Sequence, residues 1–492
     1  MPAATTRARR SVPIRLGVPA DPDRHLLQRF SFGCTPALVA EAKRFNGAQA
    51  WFDAQLHPAS IPDPFGDQLR SWYPHLSKTP RQLQAAENNG TLESFEVSMD
   101  LVRWSLMRRA YSKKQLLEVV TAFWLDHLHV TVHTFGTWAV RIEHDTLVRQ
   151  HALGRFEDML LAVDLGRAMG CYLDNCKSTK QRLNENLGRE LLELHTVGRD
   201  AGGYTESDVR DASRILTGYR VDRAGTWEAW YAPSDHYVGP VQVLGFSHAN
   251  SAPDGRPVAK ALLRYLANHP QTAQRLALKL CRRFISDSPS TAVVNKVAQS
   301  YLDSGTSTRS MLRTLVQHPE FAAEVNQKTR TPVEDLVAAW RVLGMRPSKP
   351  TRDGDFGRAC STMARRAGQV PFDWPRPDGP PDVAEAWSSV SRLLASWDLH
   401  YLMAAGNLPD TGVTFRRPQS WLPRLPATVE ETVEHVCRQL VSRRAGAKMT
   451  AAVSERIGLS PDTVLHTFDD LKDHRLPRLL AAVLDTPQHM SR

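Results

Sequence analysis

The segment Asn184-Glu-Asn-Leu-Gly-Arg-Glu-Leu-Leu-Glu-Leu-His195 carries three carboxylates, two amides, an arginine and a histidine on about three helical turns. On a helical wheel Leu183, Leu187, Leu191 and Leu194 share one narrow arc, the face to be buried. Asn186, Glu190 and Glu193 run along one flank of it. Glu190 is nearest the leucines, so burial should raise its carboxyl pKa unless a cation or hydrogen bonds compensate. Glu185 and Arg189 stand one turn apart and can pair. His195 falls on the opposite flank, so the histidine that would join Glu190 and Glu193 must come from elsewhere.

His127 is the best external partner, because it follows Trp124 by one turn in Phe123-Trp-Leu-Asp-His-Leu-His129. His236 is a second, delivered by an extended segment of the kind that often carries functional groups. One reading is a carboxylate/histidine enzyme, hydrolytic or oxidative, with Glu190 and Glu193 as an acid/base pair. In its metal-dependent form Glu190, Glu193, His127 and His236 hold a divalent ion, iron, manganese or zinc. Asn184, Asn186 and Arg189 would orient the carboxylates or bind an anionic substrate. The alternative is a non-catalytic scaffold or partner-binding protein in which the same polar network fixes helix packing. Glu143-His-Asp145 reads as a solvated helix face. There is no glycine-rich phosphate loop, no Gly-x-Ser-x-Gly elbow and no His-Glu-x-x-His motif, which demotes nucleotide chemistry, serine hydrolysis and ordinary zinc proteolysis.

The 492 residues are 42% hydrophobic and 23% charged, a globular composition. No apolar run approaches the roughly 20 residues of a membrane helix. The net charge of +10 is scattered over small clusters such as Arg282-Arg283 and Arg443-Arg444 rather than gathered in a stripe, so no nucleic-acid partner is expected. None of the six cysteines forms a Cys-x-x-Cys pair, which suits reduced, separately packed thiols. Arg9-Arg10 has the look of a twin-arginine signal, but Arg15, two prolines and Asp21 break up the residues where an apolar signal core would lie. Residues 1–22 therefore read as a flexible basic tail, and a cytoplasmic location is expected.

Helical signals dominate residues 23–485, which read as one large multi-helix domain of the mainly α class, with residues 486–492 as a C-terminal tail. Thr35-Pro36 and Thr331-Pro-Val-Glu334 are strong helix starts, and Ser112 with Gln115 has capping-box spacing. Residues 226–248 are rich in β-forming side chains and turn residues and predict a small β-like or irregular insertion. Seven prolines interrupt residues 346–382; Phe372 and Trp374 among them favour a long ordered loop over a site.

Several segments, in order, resemble the bacterial domain of unknown function 1800 (DUF1800) family. They are His25 to Gly33; Phe123-Trp124 with His127; Ala152 to Phe156 through Tyr172 to Asn175; Asn184 to Glu193; Tyr204-Thr205 and Leu216 to Gly218; His269-Pro270; Lys279-Leu-Cys-Arg-Arg-Phe284; Gly368-Gln369; and Pro375-Arg-Pro-Asp-Gly379. The resemblance implies a largely helical domain without an established reaction. It also implies a sulfatase-like protein, encoded nearby, as partner, and work in the envelope or outside the cell. One segment departs from the family. His236 to Gly245 has Tyr237 and Val241 where relatives have aspartate and lysine, so two ionisable groups are missing.

Overall fold

Helix starts in this chain are set by short-range chemistry. The structure, a computed structural model, describes residues 21–132, 136–199, 203–223, 225–351 and 356–492. The basic segment expected to be a tail therefore lies outside the described residues up to residue 20, and Asp21 caps the first helix, Pro22–Arg29, by accepting from the Arg24 amide. Thr35 caps Pro36–Arg44, and Thr331 with Glu334 forms a complete capping box on Pro332–Val342. The Ser112/Gln115 box does not form. Ser112 Oγ instead donates to Asp63, and the Gln115 amide donates to the carbonyls of Arg109 and Ser112. Helix Gln115–His127 thus begins without a side-chain cap.

The chain is mainly α. Among the described residues the strands make four two-stranded antiparallel sheets. Two of these hairpins, Tyr219–Val221 with Ala229–Tyr231 and Val241–Val243 with Phe246–His248, account for the β-forming insertion. Among the described residues no helix is long and apolar enough to cross a membrane.

Four helices position the site. They are α1 (Gln115–His127), α2 (Arg141–His151), α3 (Pro270–Phe284) and α4 (Pro332–Val342). α4 is buried along nearly its whole length, so its polar residues Glu334 and Asp335 must find partners inside the protein. The face of α2 expected to be solvated is buried at His144 and Asp145, with Asp145 paired to Arg149. The last residues are no free tail either. Pro487–Met490 is helical, His489, Met490 and Arg492 are buried, and the backbones of Arg492 and Lys328 exchange hydrogen bonds.

Candidate functional site

Helix α1 ends by bringing Asp126 and His127 to a cavity of about 270 Å³, and α3 meets it there with Lys279, Arg282 and Arg283. An adjoining cavity of about 200 Å³ shares Asp126, Arg283 and Asp382 and extends toward Arg109 and His129. Together they fall within the range of small-ligand pockets, about 300–1,000 Å³.

Residues 370–382 cover both cavities. Their prolines forbid regular helix or ladder bonding, so individual contacts hold them. The Phe372 carbonyl accepts from the Val132 amide at 3.0 Å. Its ring lies between the guanidinium groups of Arg109 and Arg141, 5.8 and 4.6 Å from the centroid. His129 bonds the Trp374 carbonyl at 2.9 Å. Gly379, at φ +71°, sits so close to α1 that a Cβ there would come 2.0 Å from the Asp126 carbonyl oxygen. Only glycine allows that approach.

His127 is held from two sides. Its Nε2 lies 3.1 Å from the carbonyl of His195 and its Nδ1 2.9 Å from Lys279 Nζ. A carbonyl only accepts, so Nε2 carries the hydrogen and Nδ1 accepts from the lysine. Burial and then the Lys279 charge push the His127 pKa far down, which keeps the ring neutral. The Lys279 amine is itself drawn down to about 8, by burial and by Arg275.

Asp126 faces the same cavity without a hydrogen bond or ion pair among the described residues. Burial raises its carboxyl to about 6 although Arg109 and Arg283 pull the other way. An acid and an amine are thus both moved toward neutrality on one wall. Arg283 is tied to Glu334 at 2.5 Å and to Asp382 at 3.5 Å. Arg376 pairs with Asp378 at 3.2 Å but is largely exposed, and Arg282 lines the wall as well.

The segment Asn184 to His195 is the support of this site rather than its wall. It is α-helical only over Asn186–Glu190 and then widens into a π-turn, Leu191–His195. The extra residue shifts the helical phase, so His195, expected on the far flank, is buried and bonds Asp164 at 2.9 Å. That contact fixes the carbonyl that holds His127. Asn186, expected inside, is exposed, and Asn184 is half-buried with its side chain accepting from the Asn186 amide. Glu193 is buried in ion pairs with Arg189 and Arg199. Arg189 also pairs with Glu206 at 2.7 Å. Glu190 is half-buried, with its pKa raised by burial, as the wheel implies, and Oε2 has no partner.

His236 is fully buried with both ring nitrogens engaged, Nδ1 by Thr217 and Nε2 by Asn250. Among the described residues no three of Glu190, Glu193, His127 and His236 gather their ligand atoms within 4.8 Å. The expected metal set is therefore not assembled, because both histidines spend their nitrogens on other bonds and Glu193 spends its carboxylate on arginines. Tyr237 and Val241, at the two departed positions, pack under Arg214 and into the interior.

Asp126, Lys279, Arg282, Arg283, Arg376 and Asp378 lie outside the polar helix and were not among the expected site residues. A signal for them was present. Phe123-Trp124 with His127, Lys279 to Phe284 and Pro375 to Gly379 are three separated segments of the resemblance, and residues of all three line one cavity, with Asp126 beside His127.

A family model described as "Protein of unknown function (DUF1800)" matches residues 25–491. No curated protein and no solved structure matches the chain.

Proposed function

The chain belongs to the DUF1800 family, and from the geometry of its cavity we propose that it is an acid/base enzyme acting on a small anionic substrate. The observation that carries this reading is the Asp126 carboxylate, without a hydrogen bond or ion pair among the described residues, facing the same cavity as Lys279. Asp126, near pKa 6, accepts a proton at neutral pH. Lys279, near 8, returns one, and His127 holds its amine in place. A base and an acid on either side of neutral pH are what general acid/base catalysis needs. Arg282 and Arg376 supply the anion contacts, while Arg283 is bound to Glu334 and Asp382 and serves as framework.

The scaffold reading keeps support at one place. Glu193 is closed off by Arg189 and Arg199, which suits a structural role for that helix end.

The test is anion binding by calorimetry at neutral pH, with phosphate, sulfate, acetate and citrate as probes. At least one is expected to bind the natural chain and to bind Arg376→Ala about tenfold more weakly, the loss of one charge-assisted contact of about 1.4 kcal/mol. Arg376 is exposed, so the variant keeps its fold. Equal binding by both proteins, or none by either, would remove the anion site from the proposal.

A further inference from the structure

A second cluster of ionisable groups lies outside both cavities. Asp335 of α4, His400 of α5 (Val390–Ala404) and His489 of α6 (Pro487–Met490) each bring one ligand atom within 4.8 Å of the other two. Asp335 and His400 are fully buried and His489 nearly so. The His400 and His489 nitrogens lie 3.4 and 3.3 Å from Asp335 Oδ1. Both are ion-pair separations, and none of the three buried atoms has a hydrogen-bond partner. Buried polar atoms are rarely left so. Three of them converging on one space point to an occupant that accepts lone pairs from all three.

We propose that Asp335, His400 and His489 bind a zinc(II) ion in four-coordinate geometry. Bonds of about 2.0–2.1 Å at tetrahedral angles place neighbouring ligand atoms about 3.3 Å apart. The observed 3.3 and 3.4 Å put each histidine nitrogen at such a distance from Asp335 Oδ1. Two imidazoles and a carboxylate without a thiolate are a donor set zinc accepts.

The surroundings supply what such a ligand set needs. Asp485 Oδ1 lies 2.9 Å from His400 Nδ1. A carboxylate accepts, so the hydrogen that Asp485 engages sits on Nδ1, and Nε2 is the nitrogen turned to the cluster. This is the carboxylate–histidine–metal arrangement. Arg392 stands 3.5 Å from the other oxygen of Asp335, which leaves Oδ1 for the ion. Arg330 donates to the His489 carbonyl at 2.7 Å and fixes the backbone that presents that ring. Ser396, one turn before His400 on the same helix, is buried with a hydroxyl that has no hydrogen-bond partner among the described residues.

The role is structural. The ion ties α4, α5 and α6 together and pins the last residues, whose Arg492 reaches Glu334 at 3.3 Å. It stands apart from the acid/base reading, and either can fail without the other.

The test uses the full chain, loaded with zinc and dialysed. Elemental analysis is expected to find one zinc per chain, and cobalt(II) in its place is expected to give the intense visible absorption of a four-coordinate site. His489→Gln and His400→Gln are each expected to lose the metal. Should either variant fail to fold, chelation of the natural chain is the second readout, with the thermal midpoint falling and zinc restoring it. Metal content below about a tenth of an equivalent after loading, equal loading of folded variants, the weak spectrum of six-coordinate cobalt, or a midpoint indifferent to chelator would each overturn the assignment.

Discussion

Asp126→Asn is expected to make the folded protein more stable at neutral pH, by about 1–2 kcal/mol. The natural carboxyl is raised from 3.8 to about 6 by burial, and each unit corresponds to about 1.4 kcal/mol of preference for the neutral form. The larger sum is reduced because the group faces a cavity that admits water. Linkage sets the sign. A carboxyl whose folded pKa is raised stabilises the fold fully below 3.8 and loses that contribution as pH rises through about 6. The gain in Asp126→Asn should therefore be small at pH 4 and full at pH 7, as read from denaturant midpoints at the two pH values. The same variant is expected to lose the protein's chemistry. A residue whose removal helps the fold and ends the function is held there for function; a loss of stability at pH 7 would make Asp126 a structural carboxylate.

Glu334→Gln should act in the opposite direction and more strongly, destabilising the protein by about 3–5 kcal/mol, the usual cost of breaking a buried ion pair from one side. Glu334 bonds Arg283 at 2.5 Å, lies 3.3 Å from Arg492 and completes the capping box of α4. Burial works to raise its pKa, but Arg283 and Arg492 outweigh that and hold it lowered. Its contribution is thus present above the ordinary carboxylate pKa of about 4.5 and is lost as pH falls through the lower folded value. Glutamine keeps the cap yet leaves two buried guanidinium groups short of charge. Chemical unfolding at pH 7 measures the loss. Near-natural stability in Glu334→Gln would mean that Asp382 alone neutralises Arg283.

How much of the fold and site was legible in the sequence depends on the range of each interaction. Thr331 and Glu334 are three residues apart, and their capping box reads directly. The mainly α class and the β-forming insertion are legible for the same reason, since both rest on local pattern. The DUF1800 resemblance is legible because many short segments recur in order, and it covers the length that the family match covers. The site was legible only in part. His127 reads as an inward-facing histidine beside Trp124, and it is one. Its partner could not be read. A wheel drawn at a fixed angle per residue has no place for the π-turn at Leu191–His195, which turns His195 inward and presents its backbone, not a carboxylate, to His127. Asp126 looks like any helix-end aspartate until residues 370–382 fold over it. The spacing of Ser112 and Gln115 shows the converse, a correct local pattern overridden by Asp63, which lies 49 residues away and takes the serine hydroxyl. His489 lies in a stretch too short for periodicity to speak, and nothing but the fold brings it to Asp335 and His400.

The acid/base cavity is tested most directly by the titration of Lys279. Competitive labelling of lysine amines by a small acylating reagent, followed residue by residue by mass spectrometry across pH, measures it without knowledge of the substrate. The Lys279 midpoint is expected at about 8. In Asp126→Asn it is expected to fall further, because the Asp126 carboxylate is one of the charges that hold it up. A midpoint at the ordinary lysine value near 10.5, unchanged in Asp126→Asn, would contradict a coupled acid and base at this cavity.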